Sequence, residues 1–315
     1  MCREGEPLLQ KQSASAAAAA TKVLEKEDAT QSKDSAKTGK TTAVPGQTDF
    51  HWSHSGEPHA IRRKLILEKH PEIKELYGHD PYMRYTCLFL VSLQFTLAYL
   101  APQMNNWVFW ITAYVVGGTA NHMLMLAIHE LSHNLGFAKP KDNRLFGLFC
   151  NLPMGVPSAV SFKRYHMEHH KYQGEDGIDV DIPTILEGRI FNNAITKAVF
   201  VFFQVVFYAL RPGIVNPKKP TLWEGINWCT ALSFDAMVYL VLGPKALGYL
   251  LLSSLLGAGM HPVAGHFIAE HYVFEEGAET YSYYGWLNIF AFNGTSPMVH
   301  SLPYAACQSS NSHIY

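Results

Sequence analysis

From about residue 85 onward, long apolar runs alternate with short polar breaks, a pattern that predicts membrane helices. Residues 85–101 form a continuous apolar run with the character of a span. Pro102-Gln103-Met104-Asn105-Asn106 breaks it as a short uncharged turn. Residues 107–128 are the next span, with Trp107 and Trp110 at its mouth, where interfacial aromatics belong. At about 1.5 Å per residue, a helix from Trp107 to His133 covers roughly 40 Å, more than the hydrocarbon core. His129 and His133 are therefore expected at the far surface, with His122 deeper. Residues 145–162 are apolar but interrupted by Pro153 and Pro157, so they read as a dip along the interface. Three more apolar stretches follow, at 195–210, 226–242 and 246–260.

The remainder is polar. Residues 1–50 are rich in Ala, Ser, Thr, Lys, Gln and Glu, with few large apolar residues before Phe50. Such a segment buries too little surface to offset its ordering entropy, and it reads as a disordered tail. Residues 51–83 are amphipathic. Arg62, Arg63 and Lys64 precede Leu65, Ile66 and Leu67, and Pro71 separates two short predicted helices on the membrane surface.

Composition adds little to this. The formal net charge of -1 gives no reason to expect nucleic-acid binding. The five cysteines, Cys2, Cys87, Cys150, Cys229 and Cys307, include no CxxC pair, so neither a disulfide framework nor a zinc knuckle is indicated. Charge placement says more. Lys and Arg concentrate on the cytoplasmic side of membrane proteins. The clusters at 62–64, 139–144 and 163–171 therefore predict cytosolic histidine groups and a lumenal turn at 102–106. If later histidines return to the same face, one of the last three apolar stretches does not cross. Basic residues flank residues 195–210 on both sides, making them the surface-lying candidate, and Gly243-Pro244 predicts a tight turn between the other two.

The candidate chemistry lies in two histidine groups, His129-Glu130-Leu131-Ser132-His133 and His166-Met167-Glu168-His169-His170, with His122 preceding them. A helix turns about 100° per residue, so positions 122, 129 and 133 fall within about 40° of one another. Positions 166, 169 and 170 share a face by i, i+3, i+4 spacing. Neutral imidazole suits iron, zinc, copper and nickel. Read alone, H-E-x-x-H is the zinc-protease pattern with Glu130 as general base. A catalytic zinc takes about three protein ligands, whereas five to eight well-spaced histidines fit two metal ions better. Two irons at the edge of a helical bundle suit dioxygen activation and hydrogen abstraction from an unactivated C–H bond. His266 and His271 rank lower as ligands. They lie about 140° apart on an ideal helix and share one metal only if the helix ends between them. Glu270 shares the face of His266. Asp176, Asp179 and Asp181 are candidates for orienting imidazoles, with loop or capping roles as the alternative, and His261, before Pro262, reads as structural.

H-x-x-x-H at 129–133 followed by H-x-x-H-H at 166–170 resembles the membrane fatty-acyl desaturase and hydroxylase superfamily. Longer stretches narrow this: Ala127 to Asn134, Asn151-Leu152-Pro153-Met154-Gly155-Val156-Pro157, Phe162 to Asp181, Gly265 to Tyr272, and Glu279 to Gly285. These, with Glu57 to Arg63 and Pro71 to Lys74 near the N-terminus, are similar to the sphingolipid Δ4-desaturase (dihydroceramide desaturase) family. The resemblance implies an all-α polytopic membrane bundle with a cytosolic histidine-rich di-iron region in the endoplasmic reticulum. It implies two irons, dioxygen, and electrons from NADH through cytochrome b5 and its reductase. The expected product carries a trans C4 double bond in dihydroceramide or sphinganine. His129, His133, His166, His169 and His170 are the expected iron ligands, with His122, His266 and His271 behind them. Glu130, Asn134 and Glu270 are expected to orient those ligands.

The implied organisation is a tail at 1–50, the family's N-terminal segment at 51–83, a desaturase domain at 84–293 and a divergent tail at 294–315. The family's third histidine group, H-x-E-H-H, belongs soon after Asn293. Here the chain runs Gly294-Thr295-Ser296-Pro297-Met298-Val299-His300, and no H-x-x-H-H follows residue 170. The expectation is an incomplete metal centre and an inactive form. Alternatives are C4-hydroxylation of the same substrate, a non-catalytic isoform, and an H-E-x-x-H zinc intramembrane protease.

Overall fold

The computed structural model describes residues 58–173, 175, 177–265 and 267, and among them every regular element is a helix. The described residues fall into two compact units that meet in sequence between Leu76 and Tyr77. In the first, α1 (Pro58–Lys69) is followed by a 3-10 turn, Pro71–Leu76. Pro71 has no N–H to donate and disfavours helical geometry in the residue before it, so the break falls at His70 as expected.

The second unit holds the spans. α2 (Met83–Leu100) starts where the Asp80 carboxylate accepts from the N–H groups of Tyr82 and Met83, at 2.8 and 3.3 Å. It continues through a 3-10 turn to Gln103. α3 (Asn106–Ser132) is capped by Asn105, whose Oδ1 accepts from Val108 N–H at 3.0 Å. A π-helical segment, Thr112–Gly118, sits within it. After α3 come α4 (Pro140–Asn151), a 3-10 turn (Leu152–Met154), and α5 (Ala159–Lys171), bent 114° from the preceding pair. The bend uses Gly155 at φ +67°, where a side chain would be strained. α6 (Ile185–Ile190), α7 (Ala194–Phe202) and α8 (Gln204–Val215) follow, the last two bent 79° from one another. The chain then forms α9 (Leu222–Leu242) and α10 (Pro244–Ala258).

Among the described residues three helices, Met83–Gln103, Asn106–Ser132 and Leu222–Leu242, are long and apolar enough to cross a membrane. Each of the two bent pairs would add a broken span if it crossed. Phe89, Trp110, Leu240 and Val241 stand exposed on the spans, as lipid-facing side chains do. Inside, two apolar clusters fill the bundle. One gathers Cys87, Leu124, Ile128, Leu131 and Cys150; the other gathers Ala98, Ala113, Val238, Tyr249 and Leu250. A buried polar group lies between them. Gln94 donates to Asn121 Oδ1 and accepts from Tyr249 Oη at 2.9 Å, and Asn121 Nδ2 donates to Ser254 Oγ at 2.8 Å. Such bonds tie α2, α3 and α10 together where no water can substitute.

The last apolar stretch differs from the reading of residues 246–260 as an ordinary crossing. α10 has 15 residues, about 22 Å at helical rise, and is too short to span alone. It starts beside the 102–106 turn, where Lys245 donates to the Met104 carbonyl, and runs along α3. Gly257 meets the Gly118 backbone so closely that a Cβ there would collide with it. Glycine is required at that crossing, because only it lets two backbones approach so near. α10 therefore ends beside His122, short of His129.

Candidate metal centre

α3 and α5 pack against each other at the end of the spans opposite the 102–106 turn. Each carries histidines four residues apart, and i, i+4 neighbours lie on one face. The two faces meet: ligand nitrogens of His129, His133, His166 and His170 all lie within 4.8 Å of one another. The Nε2 atoms of His133 and His166 are 2.9 Å apart, as are those of His170 and His166. An ion with imidazole bonds of about 2.1 Å holds ligands at right angles roughly 3.0 Å apart, so the spacing fits a metal. His166 is the buried hub. Burial and then its neighbours, His129 first, hold its pKa well below the usual imidazole value. It is therefore neutral at physiological pH, the form a metal binds.

His169 leaves this group. On a helix it lies about 100° from His170, and its Nδ1 faces both carboxylate oxygens of Asp179 at 3.0 Å, with Asp181 at 3.6 Å. A carboxylate at Nδ1 fixes the proton there and turns the Nε2 lone pair outward, the arrangement seen behind metal-binding imidazoles. His169, Asp179 and Asp181 form a second group with metal-binding spacing. Burial pushes the Asp181 carboxyl up, against the pull of His169.

The loop bearing these acids is anchored by α8. Buried Arg211 donates from Nη1 to the Val180 carbonyl at 3.0 Å and from Nη2 to Glu187 Oε1 at 2.9 Å. Asn216 Nδ2 donates to the Ile178 carbonyl at 3.2 Å. The start of α5 is held by two asparagines. Asn151 Oδ1 accepts from the N–H groups of Ser158 and Ala159, at 3.0 and 3.2 Å, and Asn227 Oδ1 accepts from Val160 N–H at 3.1 Å. Asn227 Nδ2 donates to Asn151 Oδ1 at 2.9 Å. α9 thereby fixes the helix that carries the second histidine group.

The other expected site residues are placed as follows. His122 does not join the four histidines. Its Nδ1 lies 3.0 Å from the Gly257 carbonyl, and the residue sits about 10 Å up the helix from His129. Asn134 takes a left-handed conformation at φ 62° just past α3 and accepts from Lys163 Nζ at 3.0 Å, linking the two histidine helices. Glu130 lies on α3 between the paired histidines in sequence, and its backbone carbonyl accepts from Leu135 N–H at 3.2 Å. His261 faces the Tyr114 carbonyl at 3.1 Å, in keeping with a structural role. His266, Glu270, His271 and Asp176 lie outside the described residues. The anchors Asn151, Asn227 and Arg211 were not singled out from the sequence. Their one signal is a polar side chain within or beside an apolar run.

Comparison with known proteins gives these groups a family. Residues 46–82 match the family model described as sphingolipid Delta4-desaturase, and residues 105–300 the one described as fatty acid desaturase. The sphingolipid delta(4)-desaturase DES1 of Drosophila melanogaster is 51% identical over 250 residues, 78% of either chain. The chain belongs to the sphingolipid Δ4-desaturase family. Other relatives agree: the DES1-like protein of Oryza sativa subsp. japonica is 52% identical over 247 residues, covering 78% of this chain and 75% of its own. The human sphingolipid delta(4)-desaturase DES1 is 49% identical over 248 residues, covering 78% and 76%. No solved structure matches the chain.

In this desaturase fold the Asp179–His169 contact gives a direct test. Asp179→Asn keeps the shape but removes the charge that holds the His169 proton. Metal retained by the purified protein is expected to fall about 10–100-fold. Elemental analysis showing unchanged metal content would mean that Asp179 only shapes the loop.

Proposed function

We propose that this chain introduces a trans C4 double bond into dihydroceramide or sphinganine, using two irons, dioxygen, and electrons from NADH through cytochrome b5 and its reductase. The observation that carries this reading is the convergence of four imidazoles from two helices in a chain about half identical to sphingolipid delta(4)-desaturases. The donors fit iron: they are nitrogens, the hub imidazole is neutral, and the spacing suits ligands around an ion. When bound, iron would supply the dioxygen chemistry for removing hydrogen from an unactivated C–H bond, which side-chain acids and bases lack.

In this reading His129, His133, His166 and His170 would hold metal as one group. His169 would contribute from the second group, with its Nδ1 proton kept in place by Asp179. His122, His266 and His271 are lower-ranked ligands. Asn134, Glu130 and Glu270 orient the set, Asn134 through Lys163. The organisation follows the sequence reading: a tail at 1–50, the family segment at 51–83, the desaturase domain at 84–293 and a separate tail at 294–315. The test is expression in cells lacking their own desaturase, with mass spectrometry of the sphingoid bases. A trans C4 double bond is expected from the chain joined after residue 293 to a relative's H-x-x-H-H segment; a 4-hydroxylated base as its sole new product would assign the chain to hydroxylation instead.

The same reading sets the protein in the endoplasmic-reticulum membrane with its N-terminus and histidine groups in the cytosol. It is supported by the basic clusters near the histidines, at 139–144 and 163–171. In sealed microsomes a tag placed before Phe50 should be digested by added protease. Protection of that tag would reverse the topology.

A further inference from the structure

Beside the metal groups, the ends of α3, α4, α5 and α9 line a cavity of ≈ 340 Å³ that the proposed reaction does not use. Its apolar wall includes Ile128, Leu131 and Val160, and among the described residues its charged lining is basic: Arg144, Lys163 and Arg164. Arg164 is neutralised by Glu224, 2.7 Å from its Nη1. Among the described residues Arg144 and Lys163 have no carboxylate within ion-pair distance. Arg144 lies over the Trp223 ring, 4.7 Å from its centroid, and Lys163 Nζ bonds to Asn134. Both cations are half-buried, and burial together with Arg144 lowers the pKa of the Lys163 ammonium.

Two half-buried cations facing one cavity without a counter-charge are costly, and an anion between them relieves that cost. The position indicates which anion. The cavity sits at the last turn of one span and the first turn of another, the depth of lipid headgroups, where Arg, Lys and Trp gather. A free anion would leave the apolar wall bare, whereas a glycerolipid would cover it. We propose that this cavity binds the headgroup of an anionic membrane phospholipid, with its phosphate between Arg144 and Lys163 and its glycerol and upper acyl chain against Ile128, Leu131 and Val160. One bound lipid would then bridge the two helices that carry the histidine groups and the helix that anchors α5.

The test uses the full chain in nanodiscs of phosphatidylcholine, with or without phosphatidylserine, and in mild detergent with soluble glycerol phosphate. Native mass spectrometry reads lipid retention and thermal unfolding reads stability. The wild-type chain is expected to retain phosphatidylserine over phosphatidylcholine and to unfold at higher temperature with it. Arg144→Gln should weaken that retention about tenfold, the value of one charge-assisted contact, and leave unfolding in pure phosphatidylcholine unchanged. Equal retention of the two lipids by the wild type overturns the proposal, even if the variant fails to fold. So does undiminished retention in Arg144→Gln, which would indicate general surface attraction. Stabilisation by glycerol phosphate equal to that by the lipid would make this a free-anion site and would equally overturn it.

Discussion

Expressed as these 315 residues, the chain is expected to insert into membranes and yet to yield less than about one hundredth of the Δ4-unsaturated sphingoid base made by an extended form. The extended form is the same chain joined after residue 293 to a relative's H-x-x-H-H segment. The reason is the ligand count. The two histidine groups supply five imidazoles, four converging and one set apart with Asp179 and Asp181. After residue 170 no H-x-x-H-H occurs, and His300 stands where the family's third group is expected. Loss of one residue that merely orients a ligand costs about 10–100-fold in metal affinity or activity, and three missing imidazoles should cost more. Mass spectrometry of sphingoid bases in cells lacking their own desaturase compares the two forms. Equal product from both would show that His300 or another residue completes the centre.

In the extended form, His166→Ala is expected to reduce bound iron more than about 100-fold, beyond the cost of losing an orienting residue. His166 is the histidine on which the group turns. Its Nε2 lies 2.9 Å from the nitrogens of both His133 and His170, and its ring stacks on Phe162 with centroids 4.8 Å apart. Removing it leaves the α3 pair and His170 without their common neighbour and opens space beside them. Elemental analysis of purified protein reads the iron, and thermal unfolding without metal separates lost binding from lost folding. His169→Ala makes a useful comparison, because it removes the imidazole from the other group and leaves the four converging histidines with three neighbours each. Iron retained within about twofold in His166→Ala would remove His166 from the site.

Much of the architecture was legible along the chain because bilayer thickness is a length and apolar runs are measured against it. The runs at 85–101, 107–128 and 226–242 became spans, and Pro153 with Pro157 broke the stretch that now bends by 114°. The i, i+4 spacings of 129/133 and 166/170 presented two paired faces, since helical periodicity is local. The resemblance in the histidine groups and their flanks identified the family, because motifs of that length seldom arise by chance.

What periodicity could not give was direction between elements. It grouped His122 with His129 and His133, but α10 ends at His122 and engages it through Gly257, a contact 135 residues away in sequence. It placed His169 on one face with His166 and His170, but Asp179 is brought to His169 by a loop that Arg211 holds from α8. The Asn151–Asn227 pair joins residues 76 apart, and the Arg144–Lys163 cavity exists only where four helix ends meet. The sequence by itself determined which three runs are long enough to span and which imidazoles pair, because apolar length and helical repeat are properties of a single stretch. The tertiary structure alone decided which acid serves which imidazole, where the short helix stops and where the basic residues of the cavity gather, because each depends on bonds between segments far apart in the chain.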